Sequence, residues 1–236
     1  MKKYSYVVLL MMFSISLNAQ SLRVIYKATQ DIQKISEQIK DPAIRQMVIS
    51  KLNKPRYFKL EYKNGKSLFQ PVVLQENYNS SVQVIGNNES VYKNFTTGEL
   101  IRKKPFLQRT FIIRDSLKKW TWKITNETKK IGGYLCRKAV LNNKKIVAWF
   151  AEKIPVSDGA LSYYGLPGLI LELNIAGGFH FEAVEIHLNA KISEIKKPEG
   201  GKEVTRKEFD EIVKNKMNML GGSNGQNNNV QVKIIH

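Results

Sequence analysis

Short apolar segments separated by turn signals, from Arg56 to about Ala190, most constrain how this chain can fold. Asn64-Gly65, a dipeptide typical of two-residue hairpin turns, separates the first two segments. Later turn signals are Thr97-Gly98, Asn142-Asn143 and Gly177-Gly178. Because tight turns join antiparallel neighbours, the pattern predicts an antiparallel meander. A meander of this length curls, so we expect an open or half barrel.

Helical patterns flank the predicted strands. After a first strand over Ser21–Thr29, isoleucines recur at helical spacing and predict a helical insertion, which Pro42 kinks. These isoleucines are Ile32, Ile35 and Ile39. Near the other end, Thr205 precedes Glu208 by three residues, the spacing of a capping box at the start of a C-terminal helix. The predicted class is therefore mainly β with α, or α+β.

The first residues carry the pattern of an export signal. Lys2 and Lys3 precede an apolar run from Val7 to Leu17, which is too short for a stable membrane span. We expect residues 1–19 to be a signal peptide, with an uncleaved anchor as the alternative. The predicted destination is the periplasm or the outer-membrane periphery, with secretion left open, and no membrane span is expected after cleavage.

Composition shifts divide the rest of the chain. We expect a β-rich domain over residues 20–195 and a linker with the C-terminal helix over residues 196–220. The remaining residues, 221–236, are rich in glycine and asparagine and predict a flexible tail. Only one cysteine, Cys136, is present, so no disulfide can form within the chain and stability must come from the core.

The formal net charge of +18 comes from 38 Lys+Arg against 20 Asp+Glu. The charge is dominated by lysine and dispersed along the chain, whereas nucleic-acid surfaces cluster arginine with aromatic residues. In an exported protein, acidic lipid headgroups, anionic glycans or a negatively charged outer-membrane or envelope partner fit this charge better than nucleic acid. A basic surface that only keeps the protein soluble is the alternative.

The sequence offers few groups for catalysis. No P-loop, dinucleotide fingerprint, paired catalytic carboxylates or Gly-x-Ser-x-Gly elbow occurs. Cys136 lies within a predicted strand, which favours a buried structural thiol over a nucleophile. A hydrolase or thiol enzyme centred on Cys136, or on Ser162 with His180, remains the enzymatic alternative.

Two histidine–glutamate pairs could each supply two metal ligands. They are His180 with Glu182 and Glu185 with His187. Because a metal site needs at least a third ligand and no further cluster is evident, we expect neither a metal nor another cofactor.

The segment from Gly165 to Ile170 reads Gly-Leu-Pro-Gly-Leu-Ile. Its glycines permit backbone angles closed to other residues, and Pro167 fixes its own φ. We therefore interpret Gly165, Leu166, Pro167, Gly168, Leu169 and Ile170 as a structural motif, a rigid turn that begins a buried strand.

This hexapeptide also resembles the naming motif of the GLPGLI family, also called the Porph_ging family, of exported proteins in Bacteroidetes-type bacteria. Ala148-Trp149-Phe150, the segment from Ile154 to Gly159, and the strand from Gly133 to Ala139 match further family elements. Ala160 departs from the proline that the family commonly has. The resemblance implies export and a fold, but no reaction.

Aromatic residues are dense around this motif. They are Trp120, Trp122, Trp149, Tyr163 and Tyr164. They either pack in a core or line a ligand cleft on the concave face of the sheet. From the sequence we expect a non-enzymatic binder of an apolar ligand, lipid or protein segment, with an accessory partner of an outer-membrane transporter as a further alternative.

Overall fold

The computed structural model describes residues 21–31, 41–52, 54–72, 89–141, 145–176 and 178–222. The predicted signal peptide, the isoleucines of the helical insertion, the turn at Asn142-Asn143 and the tail from residue 223 lie outside these residues.

The described residues form twelve strands and two helices. The strands are β1 (Ser21–Gln30), β2 (Arg56–Lys63), β3 (Lys66–Pro71), β4 (Ser90–Asn94), β5 (Glu99–Phe106), β6 (Arg109–Ser116), β7 (Lys123–Ile131), β8 (Tyr134–Leu141), β9 (Ile146–Ala151), β10 (Leu169–Ile175), β11 (Phe179–Leu188) and β12 (Lys202–Thr205). The helices are α1 (Pro42–Leu52) and α2 (Arg206–Gly222).

All twelve strands belong to one sheet, in the order β12-β6-β5-β4-β3-β2-β1-β11-β10-β9-β8-β7. Neighbours pair antiparallel, except that β12 runs parallel to β6. β12 and β7 are the two edges, so the sheet is not closed. The predicted mainly β protein with an open sheet and a C-terminal helix is confirmed, whereas the half-barrel curl stays a prediction.

The helical insertion as predicted is not shown. Helix α1 lies between β1 and β2, but residues 32–40, which carry the periodic isoleucines, are outside the described part of the chain. β12 is a second difference from the prediction. The polar sequence before Thr205 gave no indication of a strand. It forms by adding its backbone to the free edge of β6.

Alternation along the central strands builds the main core. In β1, Leu22, Val24, Tyr26 and Ala28 are buried while the residues between them are half-buried. This period of two places one face of β1 against the apolar cluster to which β2, β3, β8, β9 and β10 also contribute. The N-terminal strand thus lies at the centre of the sheet, where β11 pairs with it.

The segment that follows β11 crosses the opposite face. Ile192 and Ile195 pack there with Tyr92, Ile101 and Ile112 in a second apolar cluster. This crossing carries the chain from the middle of the sheet to the far edge, where β12 begins.

Helix α2 covers a third apolar cluster. Phe209 packs against Phe106 and Phe111 with ring centroids 5.9 and 5.3 Å apart. The predicted capping box is present, because the Thr205 backbone N–H donates to Glu208 Oε2 at 2.6 Å and the Glu208 N–H donates to Thr205 Oγ1 at 3.3 Å.

Candidate functional site

The segment between β9 and β10, residues 152–168, packs onto the face of the sheet that carries the main core. We call it the β9–β10 loop. Its buried apolar side chains are Ile154, Val156, Ala160, Tyr163 and Leu166. The Tyr26 hydroxyl donates to the Ile170 carbonyl oxygen at 2.6 Å, just beyond the end of the loop. The chain's own loop therefore covers this face of the sheet.

A buried ion pair holds this loop to β4. The Lys93 ammonium contacts Asp158 Oδ1, and both side chains are fully buried. The Lys93 ammonium also donates to the carbonyl oxygens of Gly159 at 3.1 Å and Leu161 at 2.8 Å. Burial lowers the pKa of Lys93, and the adjacent carboxylate opposes that shift. Three acceptors around one ammonium are an arrangement suited to fastening the loop.

Asp158 adjoins the loop motif in sequence, but Lys93 gave no sequence signal of its role. Lys93 lies on a strand 65 residues upstream, and only the folding of the loop across the sheet brings the two side chains together. Asp158 Oδ2 has no hydrogen-bond partner among the described residues.

Four of the five predicted cleft residues come together around the same loop. The Trp120 and Trp122 indole N–H groups donate to the Ser162 and Tyr164 carbonyl oxygens at 3.1 and 2.8 Å. The Trp120 ring stacks on Tyr163 with centroids 5.4 Å apart, and burial raises the pKa of Tyr163 to about 12. These contacts bind the loop to the segment before β7. Lining of a ligand cleft by these residues stays a prediction.

The Gly165–Ile170 segment lies at the end of the loop and the start of β10. Leu166, Leu169 and Ile170 are buried, while Gly165 and Pro167 are exposed. The Gly165 N–H donates to the Ser157 hydroxyl oxygen at 3.0 Å, and at the other end of the segment the Tyr26 hydroxyl donates to the Ile170 carbonyl oxygen at 2.6 Å. Its interpretation as a purely structural motif stays a prediction, and these contacts support it.

Trp149, the fifth predicted cleft residue, lies elsewhere, on the opposite face of β9. In register it faces Glu172 on β10, which in turn faces Glu182 on β11. The adjoining row of Ala148, Leu173 and Phe181 is buried in the main core, so alternation places the Trp149 side chain on the other face of β9, although Trp149 still packs in part against the main cluster. Trp149 was grouped with the loop aromatics because they lie near one another along the chain. Successive side chains of a strand point to opposite faces of the sheet, and this alternation separates Trp149 from them.

Polar side chains around Trp149 form a connected set, which we call the outer polar network. Its members are Lys129, Trp149, Glu172, Asn174 and His180. The Lys129 ammonium contacts Glu172 Oε2 at 2.5 Å and lies 4.5 Å from the centroid of the Trp149 ring. The Asn174 side-chain amide donates to Glu172 Oε1 at 2.8 Å. Glu172 is thus held on both oxygens with its side chain only 10% exposed.

Hydrogen bonding in the network orients the His180 ring. Because the Asn174 side-chain N–H donates to Glu172, the side-chain oxygen of Asn174 faces His180 Nδ1, 2.7 Å away. That oxygen can only accept, so Nδ1 donates the proton of this hydrogen bond. His180 Nε2 lies 3.8 Å from Glu182 Oε2, and the two side chains are 33% and 48% exposed.

The predicted thiol and serine centres lack a base. The Cys136 thiol donates to the Tyr134 carbonyl oxygen at 3.6 Å, and burial raises its pKa to about 11. Neither Cys136 nor Ser162 hydrogen-bonds to a described histidine: His180 pairs with Asn174, and His187 contacts Glu185. In the part of the chain that the structure describes, no three His, Cys, Asp or Glu residues are grouped as metal ligands. No helix among these residues is long and apolar enough to cross a membrane.

The described residues first define a class of protein, a β domain built from a single sheet. The β9–β10 loop covers one face of this sheet, and the outer polar network lies on the other. Comparison with known proteins then gives the family. A family model described as "N-glycanase peptide, N-terminal domain" matches residues 74–213, more than half of the chain. The chain belongs to this PNGase F-II N-terminal domain family.

Solved structures support the fold. Two structures of PNGF-II, in space groups P21 and C2, match with TM-scores of 0.56 and 0.54 at 18% sequence identity. Each alignment covers 83% of this chain and 33% of the PNGF-II chain, so the present chain spans about a third of the length of those structures. A search among curated proteins finds no match.

The expected membership of the GLPGLI family is wrong, because the matching family model and the similar structures are those of PNGase F-II. The physical reason lies in the motif itself. A Gly-x-Pro-Gly turn suits the start of a buried aliphatic strand that lies beneath a loop, as β10 does here. The hexapeptide therefore reflects local packing and does not by itself indicate the family.

Proposed function

We propose that this protein is an exported, non-enzymatic module that recognises glycans on N-glycosylated substrates. The observation that carries the proposal is the match of residues 74–213 to the N-terminal domain family of an N-glycanase. A function suited to a domain that accompanies a glycan-cleaving enzyme is to bind the glycan or the protein to which the glycan is attached. The basic n-region and the short apolar run at the N-terminus support export.

The non-enzymatic part of the proposal is supported by the state of the candidate nucleophiles. General-base activation requires hydrogen-bond reach between a nucleophile and its base. The raised pKa of Cys136 keeps the thiol protonated at neutral pH, and the thiol donates to the Tyr134 backbone carbonyl oxygen. These contacts of the described residues count against an envelope hydrolase or thiol enzyme centred on Cys136, or on Ser162 with His180.

An apolar ligand or lipid, the occupant expected from the sequence, finds less support than a glycan. Its expected position is the face now covered by the β9–β10 loop, which the buried Lys93–Asp158 pair fastens. Opening that face would break the ion pair as well as the two carbonyl contacts of Lys93. A transporter partner bound through the C-terminal tail involves residues outside the described part of the chain.

Calorimetry on the full chain tests the proposal. A high-mannose N-glycoprotein and the same protein after enzymatic deglycosylation are titrated separately. We expect heat of binding with the first and none with the second. Equal binding to both, or to neither, contradicts glycan recognition. The non-enzymatic part of the proposal is tested by incubating the chain with a high-mannose glycopeptide and analysing the product by mass spectrometry. Release of the glycan would show that the module is an enzyme.

A further inference from the structure

The outer polar network differs in one respect from the other buried polar groups. Lys93 and Asp158 fasten a loop, and Arg102 contacts Glu89 with two nitrogens across the buried part of β5. The network instead lies on the outer face of the sheet, where Lys129 of β7 reaches across to Glu172 of β10 and where β9, β10 and β11 already pair through their backbones. We propose that the outer polar network is an oligosaccharide-binding site, a proposal that rests on the glycan recognition argued above and assigns it a place.

The polar groups of the network are held in place before any ligand arrives. Glu172 orients the Asn174 amide, and the Asn174 side-chain oxygen in turn orients the His180 ring through Nδ1. His180 Nε2 and Glu182 Oε2 lie 3.8 Å apart on side chains that are 33% and 48% exposed. Adjacent hydroxyl groups on a sugar ring can each form one hydrogen bond, one with Nε2 and one with the carboxylate. Such preorganisation lowers the entropy cost of binding.

A donor and an apolar surface lie beside these groups. The Lys129 ammonium has three N–H groups, and Glu172 uses one of them, so the others can donate to hydroxyl oxygens. Trp149 is half-buried, with the ammonium groups of Lys129 and Lys138 4.5 and 5.9 Å from the centroid of its ring, and the exposed part of the ring can contact the C–H groups of a sugar. Binding sites for small polar molecules combine these two elements, an apolar surface with a few oriented polar groups.

The local charge favours a neutral ligand. Around Trp149, the cations Lys129 and Lys138 face the carboxylates Glu127, Glu172 and Glu182. This near balance departs from the strongly positive chain as a whole, whose formal net charge is +18. A phosphate or another anion would find better sites elsewhere on the surface. A polyhydroxylated, uncharged sugar matches the mixed donors and acceptors here.

Two variants and a matched control test the site. His180→Ala removes a polar side chain that is 33% exposed, and Asn174→Ala removes the group that orients it. His187→Ala is the control, because His187 lies on the same strand next to a glutamate but outside the network. The full-length proteins are titrated with a high-mannose glycopeptide at low and high salt, and their melting temperatures are compared.

We expect glycopeptide affinity to fall about tenfold in His180→Ala and Asn174→Ala, the effect of losing one or two hydrogen bonds, and to stay unchanged in His187→Ala. Wild-type affinity should change little with salt. If the wild type binds and both network variants bind equally well, the site lies elsewhere while the proposed function stands. If the wild type does not bind, both proposals fail. A steep loss of affinity with salt would overturn the neutral-ligand assignment.

Discussion

Two glycines in the Gly165–Ile170 segment are required for different reasons. A Cβ atom on Gly168 would lie 2.3 Å from the Ala151 carbonyl oxygen, a backbone atom that cannot move aside. A Cβ atom on Gly165 would make only an ordinary contact, 3.9 Å from the Trp122 indole nitrogen, but the residue has a φ of +93°, which favours glycine. The same residue type thus answers a steric demand at one position and a conformational demand at the other.

These demands predict unequal costs. We expect Gly168→Ala to lower the free energy of unfolding by about 3 kcal/mol or more, because β9 and the loop must separate. Gly165→Ala should cost only about 1–2 kcal/mol, the penalty of a left-handed backbone for alanine. Urea denaturation measures both. A cost for Gly168→Ala no larger than that for Gly165→Ala would contradict the close approach of the backbones.

Cys136 makes a prediction about pH. Its pKa is raised to about 11 in the folded protein, against an ordinary value of 9.0, so between these values the unfolded chain releases a proton that the folded chain retains. Stability contributed by this thiol is fully present below pH 9 and is lost as the pH rises towards 11. We expect denaturation midpoints of the wild type to fall more steeply over this range than those of Cys136→Ala. Parallel pH profiles would show that the thiol titrates normally.

At the scale of elements, the β9–β10 loop depends on one buried ion pair. Lys93→Met removes the partner of a fully buried carboxylate, and we expect a loss of about 3–5 kcal/mol in unfolding free energy. The loop should also become a site of proteolysis. Lys93→Met combined with Asp158→Leu should be less destabilised than the single variant, because no unpaired charge remains.

Arg114, which pairs with Glu203 at 2.8 Å on the surface, provides the matched control. Arg114→Met should change stability much less than Lys93→Met, since solvent screens the exposed pair. Equal effects of the two variants, or a double variant as unstable as Lys93→Met, would mean that the buried pair does not hold the loop.

Several elements could be predicted from local sequence because their signals are local. The hairpin turn at Asn64-Gly65 and the capping box at Thr205 act within a few residues, and both are present. β12 could not be predicted, because its stability comes from pairing with β6, a strand about ninety residues earlier. The outer polar network was missed for the same reason. The sequence indicated only the pair of His180 and Glu182, as possible metal ligands. Nothing in the sequence indicated a role for Asn174 or Lys129.

At the scale of the whole molecule, the net charge of +18 and the proposed glycan site are separate properties. A dispersed positive charge attracts any anionic surface, and salt weakens that attraction. We expect the protein to sediment with vesicles that contain anionic lipid at low salt and to be released at about 0.5 M salt, a concentration at which the screening length is only a few ångströms.

The control for this prediction is a vesicle of neutral lipid, which should not retain the protein. His180→Ala should bind anionic vesicles as the wild type does, because the network carries nearly balanced charge. Retention of the protein at high salt, or on neutral vesicles, would contradict a purely electrostatic association. It would indicate an apolar contact with the membrane instead.

The sequence by itself determined the mainly β class, the turns at Asn64-Gly65 and Thr97-Gly98, the C-terminal helix and the reliance on a core without disulfides. These follow from alternation, turn chemistry and composition, which act over a few residues. The tertiary structure alone decided that the β9–β10 loop covers the core face, that Trp149 lies on the opposite face from Tyr163, and that Lys93 meets Asp158. Such contacts join residues distant along the chain, and their free energy depends on a register and a crossing that no local pattern encodes.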